Sequence, residues 1–185
     1  MPLLRCLLLS LALLGSVPAA HAATDTVTSP HALPGTEDGR IRIFLAGSID
    51  MGRAEDWQAR VAEELATDNV LLFNPRRADW NPAWQADSSE PEFVRQVQWE
   101  LQALEAADII LMYFAPGSQS PVTLLEMGLH ARSGKLLVAA AEGFWRKGNV
   151  DITADHYQVP RLQDIDALIA ALRQRVQQLQ QQRAE

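Results

Sequence analysis

Apolar runs and amphipathic stretches alternate along most of this chain. The runs IRIFLA (41–46), VLLFN (70–74), IILMYF (109–114) and KLLVAAA (135–141) are short and almost continuously apolar, the pattern of strands buried on both faces. Residues 55–66, 92–107, 122–132 and 164–182 instead repeat apolar positions every three or four residues, which predicts helices. Strands linked by helical crossovers lie parallel. The predicted fold is therefore α/β: a doubly wound parallel sheet of about five strands, with helices on both faces and no internal repeat.

The ends break this rhythm. Arg5, an apolar core from Leu7 to Val17 and the small-x-small site Ala20-His21-Ala22 predict a secretory signal peptide over residues 1–22, cleaved after Ala22. This 11-residue core is too short to cross a bilayer core, so no stable membrane insertion is expected. The mature protein is expected in the periplasm or outside the cell. Residues 23–40 mix Thr, Ser, Pro, Gly and acids without period and read as a disordered tether, with structure starting near Ile41. The folded domain is assigned to residues 41–175, followed by a Gln-rich helix end, 176–185, that frays or projects. Ile165, Ile169, Leu172, Val176 and Leu179 form a short heptad stripe, longer than one sheet needs, which points to a homo-oligomer.

Composition narrows the function. At 185 residues and 48% apolar content the chain supports one core and one domain. Its net charge of −7 becomes about −8 once Arg5 is removed, which disfavours nucleic acid and favours a small-molecule substrate. Cys6 is the only cysteine and leaves with the signal, so the mature chain has no disulfide. No Cys or His cluster has ligand spacing, so neither a metal nor a cofactor is expected.

Two carboxylates stand out. In SPVTLLEMGLHA, Ser120 and Pro121 predict a helix start, and Glu126 falls about 40° from Val122, at the border of an inward face formed by Val122, Leu125 and Leu129. It is either a snorkelling surface residue or a placed functional group. In the helix over 92–107, Glu100 projects inside the stripe Phe93, Val97, Leu101 and Leu104, where a carboxyl either bonds a neighbour such as Arg95 or serves chemistry. A nearby helix start favours ionised Glu126, so Glu100 is expected to carry the raised pKa.

Parallel sheets bind ligands beyond the carboxyl ends of their strands. Gly47 and Ser48 follow the first run, where their amides could cradle a phosphate or form an ordinary turn. Asn74, Arg76 and Arg77 follow the second, with Trp80 and Trp84 beyond. These offer anion and aromatic recognition, or a solvated Arg pair and packing tryptophans. His130, one turn past Glu126, is either its neighbour or structural.

Taken in order, IFLAGSI, LLFNPRR, QVQWELQALEAADIILMYF, SPVTLLEMGLHA and GFWRKGNVDI resemble the nucleoside 2-deoxyribosyltransferase family and the related deoxynucleoside monophosphate N-glycosidases, over about residues 40–172. The resemblance implies a flavodoxin-like fold and cleavage of the N-glycosidic bond of a (deoxy)nucleoside or nucleotide. It implies that Glu126 is the nucleophile, that Glu100 orients or protonates the substrate, and that Asn149 reaches the sugar of a neighbouring subunit. Two positions depart from the family: Phe44, where Tyr is common, and Ser120, where transferases carry Asp. They admit a second reading, a catalytically silent nucleotide-binding or scaffolding module.

Overall fold

In the computed structural model, which describes residues 23–185, six parallel strands form one sheet in the order β1-β3-β2-β4-β5-β6. They are β1 (Asp25–Thr28), β2 (Ile41–Gly47), β3 (Val70–Asn74), β4 (Ile109–Phe114), β5 (Leu136–Ala140) and β6 (Arg161–Leu162). The helices are α1 (Trp57–Glu64), α2 (Pro91–Ala106), α3 (Pro121–His130), α4 (Lys147–Tyr157) and α5 (Ile165–Ala184). The signal peptide expected over 1–22 lies outside the described residues.

Each strand sends alternate side chains to opposite faces. Ile43, Leu45, Leu72, Leu111 and Ala139 meet α1 and α5, through Trp57 and Val61 on one and Leu168 and Leu172 on the other. Phe44, Phe73, Met112 and Val138 meet α2, α3 and α4 through Trp99, Leu104, Met127 and Val150. The doubly wound α/β class expected from the sequence is the observed one, with slightly more strands. Since β2 lies between β3 and β4 and every pairing is parallel, the winding reverses beside β2. The crevice at the carboxyl ends of β2 and β4 is thus the switch point.

Helix starts follow local chemistry. Asp56 accepts from the Ala59 amide at 3.0 Å and starts α1. Pro91 opens α2 behind Glu90, and Asp164 caps α5 by accepting from Ala167 at 2.8 Å.

Four expectations are corrected. Residues 23–40 are not a tether throughout. Asp25–Thr28 pairs in register with Leu71 to Asn74 as an edge strand, and Val27 and Leu33 pack on the core. A polar edge strand has one apolar position to show, so its pattern is weak. The helix α4 was not expected, because KGNVDITADHY carries Gly148, Asn149 and the β-branched Val150, Ile152 and Thr153, all weak helix formers. It is held by Val150 and Ala154, one turn apart and buried.

The end of α5 neither frays nor projects: Leu179 packs on the core, Gln180 donates to the Asp68 carbonyl at 3.1 Å, and Arg183 pairs with Asp108 at 2.6 Å. The heptad stripe is thus consumed by the sheet and gives no argument for assembly. Last, both functional helices are rotated from their expected phase. On α2 the inward residues are Gln96, Trp99, Ala103 and Leu104, while Leu101 is 45% exposed. The indole of Trp99, wedged 6.4 Å from Phe44 and 6.5 Å from Phe73, sets that phase. On α3, Thr123, Glu126 and Met127 face inward, and Val122, Leu125 and Leu129 are exposed. A helix oily on both sides gives no signal as to which stripe meets the sheet.

Candidate active site

Three serines close the switch point. The Ser48 hydroxyl lies 2.7 Å from both Ser118 Oγ and Ser120 Oγ and accepts from the Ala115 amide at 2.8 Å. Ser118 Oγ donates to the Ala115 carbonyl at 2.8 Å. The protons are all placed if Ser120 donates to Ser48, Ser48 to Ser118, and Ser118 to the carbonyl. This network ties the end of β2 to the turn that enters α3. Ser120 does stand at the N-cap of α3, but with φ of 44° and no capping bond, because its hydroxyl is directed inward to Ser48. Such a left-handed non-glycine residue persists only where its surroundings hold it.

Gly47 is required at its position. Its φ is +155°, and a Cβ there would meet the Tyr113 carbonyl oxygen at 2.3 Å and a Trp57 ring carbon at 2.7 Å. The phosphate cradle expected at Gly47 and Ser48 is not formed: the Ser48 amide donates to the Tyr113 carbonyl at 3.0 Å, and its hydroxyl is spent on the serines. Ordinary strand-end bonding wins over an anion nest.

Glu126 and Glu100 enter from α3 and α2, on the same face of the sheet. Glu126 is 6% exposed, and burial followed by the charge of Glu100 pushes its pKa from the ordinary 4.5 up to about 8. Burial also raises the pKa of half-buried Glu100, against a hydrogen bond from Gln96 that lowers it. The expected division is reversed, because Glu126 is the more perturbed of the two. A helix start acts over its first turn only, and Glu126 stands beyond it with no side-chain cap ahead, so desolvation dominates. With its pKa near 8, Glu126 keeps its proton near neutral pH.

The other expected site residues divide. Phe44 is fully buried under Trp99 and is core, because mid-strand positions on that face are covered by α2. Asn74 Oδ1 accepts from the Arg76 amide at 2.9 Å and closes the turn after β3. Arg76 and Arg77 do not share a cleft. The Arg76 guanidinium donates to the carbonyls of Ala54 at 2.9 Å and Glu55 at 3.1 Å, at the α1 side, whereas Arg77 chelates Asp79 at 2.9 Å and reaches Glu92 on α2 at 3.5 Å. With both charges matched, the Arg pair loses its reading as a phosphate clamp.

Trp80 and Trp84 pack edge to face at 5.1 Å, and Arg77 lies 5.0 Å over Trp84. Asn149 is exposed in the first turn of α4. Arg95 pairs with Glu92 at 3.1 Å, not with Glu100. His130, half-exposed at the end of α3, has its pKa lowered by burial and then by Lys135.

Ser118, in the stretch 117–120 that follows β4, is buried in the serine network, whereas Gln96 went unnoticed in the sequence and donates to Glu100 at 2.8 Å. The signal for Gln96 was its spacing of four from Glu100 on one helix. A hollow of about 380 Å³ at the carboxyl ends is lined by Asp50, Arg53 and Gly117 to Gln119; another of about 530 Å³, by Arg132, Lys135 and Tyr157, lies at the amino ends. Neither is lined by Glu100 or Glu126.

The family model described as "Nucleoside 2-deoxyribosyltransferase like" matches residues 40–144, which include β2, both carboxylates and the serines. No curated protein matches the chain. A crystal structure of a conserved protein from Enterococcus faecalis V583 superposes with a TM-score of 0.52 at 15% identity, covering 74% of this chain and 99% of that one, and shares the fold.

Proposed function

Because this chain belongs to the nucleoside 2-deoxyribosyltransferase-like family, we propose that it cleaves the N-glycosidic bond of a nucleoside or nucleotide through a glycosyl ester on Glu126. The observation that carries this reading is a pair of carboxyl groups on α2 and α3, on one face of the sheet, with Glu126 buried and the charge of Glu100 near enough to raise its pKa. Two carboxyls so placed can divide nucleophile and acid roles.

The reactive arrangement has Glu126 ionised and the proton on Glu100. Glu126 attacks the anomeric carbon as the C–N bond breaks, and Glu100 gives its proton to the departing base. Water, or the nitrogen of a second base, then attacks the same carbon, expels Glu126 as carboxylate and returns a proton to Glu100. Reaching this arrangement moves the proton from Glu126, the more perturbed group, to Glu100, whose pKa burial also raises, so the two carboxyls lie closer in proton affinity than Glu126 does to an ordinary carboxylate.

A site built from two copies fits this reading. Val122, Leu125 and Leu129 on α3 and Leu101 on α2 are exposed together on the helices that carry the carboxylates. The charged start, apolar core and Ala-His-Ala site support export, and among the described residues no helix is long and apolar enough to cross a membrane. A native N-terminus at Ala23 by mass spectrometry agrees with export, and an intact Met1 sinks it.

One specific observation favours the silent module. The hydroxyls of Ser48 and Ser120 are bound to each other and Phe44 is sealed, so these positions offer a substrate little. Incubation with nucleosides, nucleotides and NAD, followed by chromatography, separates the two readings: free base supports the enzyme, and binding without base release supports the module.

A further inference from the structure

Residues ahead of the family-matched region reach the candidate site by two hydrogen bonds. Ser29 Oγ donates to Gln96 Oε1 at 2.6 Å, between two buried residues. Two positions on, the His31 carbonyl accepts from Trp99 Nε1 at 2.7 Å. Gln96, Trp99 and Glu100 occupy little more than one turn of α2, so this segment grips the turn that carries the carboxylate.

The Gln96 amide is fully committed. Its Nε2 donates to the Pro75 carbonyl at 2.9 Å and to Glu100 Oε1 at 2.8 Å, which uses both of its N–H groups. Turned over, the amide would set its oxygen against two acceptors and its N–H groups against the Ser29 hydroxyl. The Pro75 carbonyl, which can only accept, selects the orientation in which Gln96 donates to Glu100, and Ser29 Oγ holds it there by donating to Oε1. A carbonyl oxygen accepts from an amide better than a hydroxyl oxygen does, so the Gln96 bond to Oε1 favours placing the proton of neutral Glu100 on Oε2.

Resting on the role given above to Glu100, we propose that Gln96 is the positioning residue of this acid and that Ser29 locks it. The segment before the family-matched region thereby sets which carboxyl oxygen presents the proton to the leaving base. Burial of Gln96 and Ser29 keeps water from replacing either bond.

The test uses the mature protein without substrate, so that it stands apart from any activity. In wild type, the two Gln96 side-chain amide protons should give separate resonances that exchange slowly with water. Carbon-13 titration of the Glu100 carboxyl, assigned with Glu100→Gln, should show its midpoint rise by about half to one unit in Gln96→Leu and by less in Ser29→Ala, since a donor to the charged form is lost or loosened. An averaged, rapidly exchanging Gln96 amide in wild type overturns the proposal. So does a Glu100 midpoint equal in wild type, Ser29→Ala and Gln96→Leu. Should Gln96→Leu fail to fold, Ser29→Ala and the wild-type amide decide. If the midpoint moves as stated but no nucleoside yields free base, the relay stands and the glycosidase reading falls; base release with an unmoved midpoint has the opposite meaning.

Discussion

Replacing Glu126 by Gln keeps the side chain's size and removes its titration, so the variant measures what burial of this carboxyl costs. The group moves from 4.5 in the unfolded chain to about 8 in the folded one. Between those values the folded protein keeps a proton that the unfolded chain has released. Glu126 therefore contributes its full stability below about 4.5, loses it as pH rises, and has lost it all once pH passes about 8. At pH 7 the accumulated loss is about 3 kcal/mol. Glu126→Gln escapes that loss, so at pH 7 it should be the more stable protein, while near pH 4 the two should be alike. For a domain of this size 1 kcal/mol moves Tm by about 2–4 °C, so the variant should melt roughly 6–12 °C higher at pH 7. Scanning calorimetry of both proteins across pH 4 to 8.5 reads the difference directly. Melting curves that stay parallel over the whole range would show that Glu126 is solvated or paired in solution, and would refute the burial argument.

Three further outcomes are expected. The pH profile of kcat/KM should be bell-shaped with its alkaline limb near 8, since above that value the pair loses the proton the leaving base requires; a rate still rising through pH 9 contradicts the need for that proton. Ser48→Ala strands the buried Ala115 amide and takes one partner from each of the Ser118 and Ser120 hydroxyls, and should cost about 1–3 kcal/mol in urea unfolding; no change would make the network incidental. Leu125→Asp combined with Leu129→Asp changes two exposed residues, and should leave the fold intact while lowering the mass seen by light scattering; a wild type already monomeric and fully active rules out a shared site.

Much of the fold was legible because buried parallel strands write themselves as continuous apolar runs: 70–74 and 109–114 coincide with β3 and β4. The phases of α2 and α3 were not. In α2 the apolar count favoured Phe93, Val97 and Leu101, but the bulk of Trp99 and its need for the His31 carbonyl turned the helix. In α3 Leu and Val lie on both sides, so the angle of Glu126 was calculable while the direction of the sheet was not. That is why Glu126 appeared as a border residue and is buried. The Arg pair misled for a different reason, since adjacent residues leaving a strand end diverge to opposite faces, Arg76 to α1 and Arg77 to α2. Edge strand β1 and its link to Gln96 depend on contacts between segments far apart in sequence, which no local pattern carries.

A glycosyl ester on Glu126 would leave a mass signature on the protein itself. Brief incubation of wild type with each nucleoside or nucleotide that yields free base, acid quench, proteolysis and mass spectrometry of the peptide containing Glu126 test it most directly. An adduct with the mass of the substrate's sugar is expected on Glu126 itself, absent from Glu126→Gln, whose base release should fall by several orders of magnitude. Base release by Glu126→Gln at more than about a tenth of the wild-type rate, a barrier change under about 1.4 kcal/mol, with no adduct on the wild-type peptide, would contradict it.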